Sequence, residues 1–239
     1  MVPRNRSDQR RYGKGSFERA LNPDHIAQEV LMNKTISLHK RTEIKTGQYH
    51  ARAVAVTAML AAVSYILAFA EFPIPLSPPF ARMDLSDFPA LIGAFALGPV
   101  SGVMIELIKN GLQLLTTSTG GVGEFANFLT GASFVGTAGL VYQFHKTKRT
   151  AWTACMAGSI TMGIVAAITN YVILLPMFET FMPLEQVIAS FRAFLPFIQT
   201  KLDVVLFHAL PFNVLKGLAI GIFTMVTYKR LTPIWKGMR

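Results

Sequence analysis

Residues 88–117 read FPALIGAFALGPVSGVMIELIKNGLQLLTT, and the way this stretch folds decides the architecture of the chain. It is apolar enough to lie in a membrane, but Gly98-Pro99 interrupts it. Proline cannot continue a helix through its own ring, and glycine accepts backbone angles that other residues avoid. The stretch is therefore either one span or a short span that reverses at Gly98-Pro99 into a second. The placement of positive charge chooses between them. With a reversal the chain has six spans, and the basic N-terminal tail, the loop HKTKR (145–149) and the terminus KRLTPIWKGMR (229–239) share one side of the bilayer. Without it, HKTKR lies opposite the N-terminal tail. Cytoplasmic loops of membrane proteins are enriched in Lys and Arg, so the reversal is the expected solution.

The rest of the composition agrees with a membrane class. Of 239 residues, 51% are hydrophobic and only 15% charged, and the mean hydropathy is +0.40. The expected fold is all-α and polytopic, with six transmembrane helices and both termini inside. The spans fall near 51–70, before 98, and at 101–117, 124–144, 152–177 and 204–228. Three parts follow: a basic, flexible tail over 1–50, a six-helix membrane domain over 51–230, and a basic tail over 231–239. The net charge of +10 sits in the tails and one loop rather than on a folded face, which argues against nucleic acid as a partner. The first fifty residues lack the apolar core and cleavage site of a secretory signal. A short amphipathic helix near 24–32, with Asn22 as N-cap and Pro23 in its first turn, is the one element expected there. The single cysteine, Cys155, excludes an intrachain disulfide, and no Cys/His spacing suggests a metal.

Polar residues inside apolar spans carry the functional signal. A charge at membrane depth costs roughly 2.5–3.5 kcal/mol, so it needs a partner or a task. Glu106, Lys109, Asn110 and Gln113 recur at i, i+3, i+4 and i+7 and form one helical stripe, serving either as an ion-paired support between helices or as ligand contacts. Glu124 and Asn127 in GEFANFL form a second pair one turn apart. A carboxylate at a helix start is favoured by the dipole, whereas a buried amide needs several hydrogen-bond partners. Asn170 and Tyr171 in TNYVILLP suit edge recognition and stacking of a planar heterocycle, or else helix–helix hydrogen bonding. Lys216, one turn after Asn213 in PFNVLKG, lies too deep to snorkel and wants a carboxylate, a carbonyl or a ligand oxygen. The segment EFPIPLSPPFARMDLSDFPA (71–90) carries Phe72, Phe80, Arg82, Asp84 and Asp87 on a proline-stiffened backbone, a spacer or a lid. Small residues Ala51, Ala55, Ala58 and Ala62 line the first span at a spacing that admits a neighbouring helix.

Taken together, EFPIPLSPP, DLSDFPALIGAFALGPVSGVMIELIKN, GVGEFANFLTGASF, TNYVILLPMF and PFNVLKG resemble the riboflavin-specific substrate-binding (S) components of energy-coupling-factor vitamin transporters. The resemblance covers most of 51–228. It implies a cell-membrane, multi-pass subunit without catalytic residues, metal or cofactor, which binds riboflavin near its outer face. It also implies association with a transmembrane coupling subunit and two cytoplasmic ATPases that consume the ATP. Asn170 and Lys216 match vitamin-binding positions, Glu124 and Asn127 match the GE..N motif, and Ala51, Ala55, Ala58 and Ala62 match the coupling face. Phe72, Phe80 and Tyr171 are expected to cover the flavin ring, with Asp84 in the closing segment. Residues 178–203 have no counterpart in the pattern. The absence of GxxxxGK[ST], GxSxG and HExxH motifs leaves no ATPase of the chain's own and little support for an intramembrane enzyme. An S component for another vitamin such as thiamine, and a stand-alone facilitator, are the further alternatives.

Overall fold

The computed structural model describes residues 32, 34, 51–73, 82–117, 119–181 and 183–236. The helix expected near 24–32 lies, apart from Met32, outside the described residues, as do Phe80 and the rest of 74–81. The chain divides into two units, Met1–Arg52 and Ala53–Arg239. In the first, Met32 and Lys34 are helical and exposed.

Helix α1 spans Ala51–Ala68. Two short strands follow, β1 (Phe72–Pro73) and β2 (Arg82–Met83), paired antiparallel with Phe72 opposite Met83. Next come α2 (Asp87–Leu97) and α3 (Pro99–Gln113), the latter closing in a 3-10 turn at Leu114–Thr116. Helices α4 (Val122–Phe144) and α5 (Lys148–Thr169) form the central pair. A π turn at Asn170–Leu174 extends α5 into α6 (Leu175–Phe181). After α7 (Leu184–Arg192), α8 (Lys201–Val204) passes through a second π turn, Val205–Ala209, into α9 (Leu210–Lys236). The described residues are thus helical apart from loops and the two-residue bridge.

The break at Gly98 is real. Its φ of 113° and ψ of 165° lie where only glycine is at ease. Pro99 then takes the first helical position, where its missing N–H costs nothing. A Cβ on Gly102 would lie 2.6 Å from the Ala94 Cβ, and one on Gly93 would strike Ile105, so α2 and α3 run antiparallel in tight contact. Among the described residues, four runs are long and apolar enough to cross a membrane: Ala51–Ala68, Val122–Phe144, Lys148–Phe181 and Lys201–Thr227. The hairpin helices are shorter. At 11 and 15 residues they reach roughly 17 and 22 Å at 1.5 Å per residue, against about 30 Å of hydrocarbon.

Small residues set the packing elsewhere. A Cβ on Gly217 would meet Ser159, and one on Gly221 would meet Cys155, so the glycine pair of α9 seats against α5. Cys155 is buried at that contact. Met156, Ile160, Ile164 and Ile168 form an exposed stripe at four-residue spacing on α5, the face a lipid tail would cover. Lipid is as apolar as leucine, so burying such side chains gains little in a bilayer. Close helix approach and buried polar contacts must hold the bundle together instead.

The described residues of 178–203, a stretch unassigned from sequence, contribute to a second apolar cluster. Val187, Ile188 and Phe191 on α7 pack with Leu175, Ile198, Val204 and Val205. Thr200 caps α8 by accepting from the Asp203 N–H, while the Asp203 carboxylate accepts from the Thr200 N–H.

Candidate functional site

Glu106, Lys109 and Asn110 of the α3 stripe are buried, Gln113 is partly buried, and the two charges are paired. Lys109 Nζ lies 2.6 Å from Glu106 Oε2, 2.7 Å from Asp87 Oδ1 and 3.1 Å from Ser86 Oγ. The expected intrahelical pair of Glu106 and Lys109 therefore exists, but it is half of a larger assembly. Lys216 of α9 reaches the same cluster, 3.2 Å from Asp84 Oδ2 and 3.1 Å from Asp87 Oδ2. The turn between β2 and α2 is fixed by Ser86 N donating to Asp84 Oδ1 at 2.7 Å and by the Ser64 hydroxyl of α1 donating to Ser86 O. On the other side, Asn110 donates to Glu106 O at 2.8 Å and accepts from Asn127 Nδ2 at 2.9 Å. Five charged side chains and their amide extension thus join α2, α3, α4 and α9.

Gly131 on α4 makes room for this assembly. A Cβ there would lie 2.5 Å from Glu106 Oε2 and 3.4 Å from Asp87 Oδ1. Gly131→Ala is expected to destabilise the protein by about 1–3 kcal/mol, the usual cost of overpacking. Thermal unfolding in detergent would show it, and an unchanged melting curve would mean that the carboxylates can shift without penalty.

Beside the cluster lies a cavity of about 360 Å³, within the range of small-molecule sites. One part of its wall is polar, with Asn127, Asn170, Asn213 and Gln113 beside Lys216 and Asp84. Another is apolar and aromatic, with Leu174, Phe178, Phe191 and Phe212. His208 sits among the rings, edge-on to Phe191 at 4.8 Å and stacked on Phe212 at 5.5 Å. Glu124 lies on the wall and accepts from Thr119 Oγ1 at 2.8 Å. Asn170 and Asn213 each donate one N–H to a carbonyl four residues back, at 2.8 Å, which fixes the amide and leaves its remaining polar atoms for a ligand.

Five of the expected site residues, Asn170, Lys216, Asn127, Glu124 and Asp84, therefore share this cavity wall. Tyr171 does not: it is 49% exposed. Within this π turn Asn170 and Leu174 line the cavity, and Tyr171 and Val172 are exposed. Phe72 is also largely exposed, in β1, and is not part of the wall; its neighbour Glu71 is. Sequence reasoning missed Phe178, Phe191 and Phe212 as wall residues and took Asp87 for a loop charge. Asp87 is wholly buried. Its signal was present in the need of two intramembrane lysines for carboxylate partners. Ala51, Ala55, Ala58 and Ala62 are all exposed on α1, while Ala61, Ser64 and Ala68 face inward.

The comparisons with known proteins converge. The chain is 34% identical over 178 residues to the riboflavin transporter RibU of Staphylococcus aureus, covering 74% of this chain and 89% of the relative. It is 29% identical over 181 residues to the riboflavin transporter FmnP of Bacillus subtilis, covering 74% and 90%. The fold matches a solved S component of a bacterial ECF transporter with a TM-score of 0.62 at 34% identity, over 78% of this chain and 99% of that one. Residues 52–228 match the family described as the substrate-specific component of ECF transporters. With a helical membrane bundle closing on a polar and aromatic cavity, the chain belongs to this family of ECF transporter substrate-specific components.

Proposed function

We propose that this protein is the riboflavin-binding subunit of an ECF uptake system in the cell membrane. The reading rests on its 34% identity to a riboflavin transporter across 74% of its length, and the cavity supports it. A planar tricyclic ring suits the Phe191–His208–Phe212 wall, where each aromatic contact is worth about 0.5–1.5 kcal/mol beyond burial. Ring-edge carbonyls and ribityl hydroxyls suit Lys216 and the amides of Asn127, Asn170 and Asn213. Glu124 and Asp84 are placed to accept hydroxyl hydrogen bonds.

In this reading the hairpin helices complete a six-helix domain with both termini inside, so that basic segments 1–50 and 231–239 lie in the cytoplasm. The chain pairs with a transmembrane coupling subunit and two ATPases, which supply the energy. The exposed alanines Ala51, Ala55, Ala58 and Ala62 offer the coupling subunit a face that admits close helix approach. The proline-rich segment carrying Phe72 and Phe80 closes over the ligand, with Asp84 as its anchor on Lys216. An intramembrane enzyme is not supported, since the family comprises transporter components.

Purified protein in detergent is expected to quench riboflavin fluorescence on titration. Absence of quenching at micromolar vitamin, with a folded sample, would sink the assignment.

A further inference from the structure

The two polar ends of the cavity wall belong to one buried chain of contacts. It runs from Lys216 through Asp87, Lys109 and Glu106 to Asn110 and then Asn127, with no step longer than 3.3 Å. Only Lys216 and Asn127, at the two termini, reach the cavity wall. Between them, Asp87, Glu106 and Lys109 are fully buried and Asn110 nearly so. The two lysines differ in what they have left to give. Lys109 faces three oxygens, from Ser86, Asp87 and Glu106, which matches the three donors of an ammonium. Lys216 faces two, from Asp84 and Asp87, so one N–H remains for a ligand oxygen. Likewise, Asn127 commits an N–H to Asn110 and keeps its carbonyl oxygen and second N–H.

We propose that Asp87 and Asn110 are positioning residues: without touching the ligand, they aim the free N–H of Lys216 and the free amide atoms of Asn127 into the cavity. A long lysine side chain has much rotamer freedom to lose, so a site that needs its ammonium in one place benefits from fixing it before the ligand arrives. Asp87 does this from a rigid helix start. It is itself held by Lys109, whose position Glu106 fixes from the same helix. The proposal rests on riboflavin being the ligand.

The test is a pair of double-mutant cycles on riboflavin affinity, read by fluorescence quenching, with melting curves for every variant. Asp87→Asn is expected to weaken binding about tenfold or more, yet to change it by less than about twofold when Lys216→Met is already present, because contacting residues couple and independent ones add. Asn110→Ala is expected to lose its effect in the same way on an Asn127→Ala background. Because Asp87→Asn removes a carboxylate from a buried ion pair and could unfold the chain, the Asn110 cycle, which removes no charge, decides the matter alone in that event. Effects that persist in full on the second background would overturn the proposal, since that is what a general loss of structure produces. A folded wild-type protein that fails to quench riboflavin would overturn both the ligand assignment and the proposal, and it is distinguished by appearing before any variant is made.

Discussion

Lys216→Met is expected to weaken riboflavin binding by at least about ten- to 150-fold, the 1.5–3 kcal/mol typical of a hydrogen bond from a charged donor. Methionine keeps the length and flexibility of the side chain and removes only the ammonium, so packing is largely conserved. The loss has two parts. The ligand loses its donor, and Asp84 and Asp87 lose a shared counter-charge at the cavity wall. Asp87 still has Lys109 at 2.7 Å, whereas Asp84 is left with the Ser86 N–H. The turn that leads out of the proline-rich segment therefore loosens in the same variant. Lys216→Arg keeps the charge but places a planar fork where a compact ammonium sat, and partial recovery is expected. Flavin titration in detergent measures these affinities, with melting curves to confirm folding. If Lys216→Met bound within twofold of the wild type, the ligand would have to rest on the amides of Asn127, Asn170 and Asn213 without meeting the lysine.

The parts of this protein that were legible in its sequence are those governed by local rules. Long apolar runs gave α1, α4, α5 and α9, and Gly98-Pro99 with the charge asymmetry gave the hairpin. Intramembrane polar residues are so costly that Asn127, Asn170 and Lys216 had to have a task, and all three lie on one cavity wall. What the sequence hid depends on partners far along the chain. Asp87 sits in a proline-flanked acidic segment that looks like a loop, and its lysines are 22 and 129 positions away. Helix α7 is only nine residues long, too short to stand out from a polar stretch, yet its Phe191 supplies a ring to the wall. Tyr171, expected to stack beside Asn170, lies off the wall: Asn170 and Leu174 of its π turn line the cavity, while Tyr171 and Val172 are exposed.

Lys109→Met is expected to be the most destabilising of the substitutions considered, by about 3–5 kcal/mol, the usual result of removing one partner from a buried ion pair. Lys109 is fully buried and stands between Asp87 and Glu106, at 2.7 and 2.6 Å. Without it those carboxylates face each other across a space that Gly131 keeps tight. Asp87 retains Lys216, but Glu106 retains only the Asn110 amide. The damage falls on the α2–α3 hairpin, whose helices are too short to be held by the bilayer and whose apolar contacts gain little in lipid. For a chain of this size the loss corresponds to a fall in melting temperature on the order of ten degrees. Adding Glu106→Gln should restore part of it, because replacing both members of a buried pair costs less than orphaning one. Thermal unfolding of the three proteins in one detergent tests the argument. If Lys109→Met melted within a degree of the wild type, the buried charges would not be what holds the hairpin, and its stability would have to come from the close contacts of Gly102 with Ala90 and Ala94 and of Gly93 with Ile105.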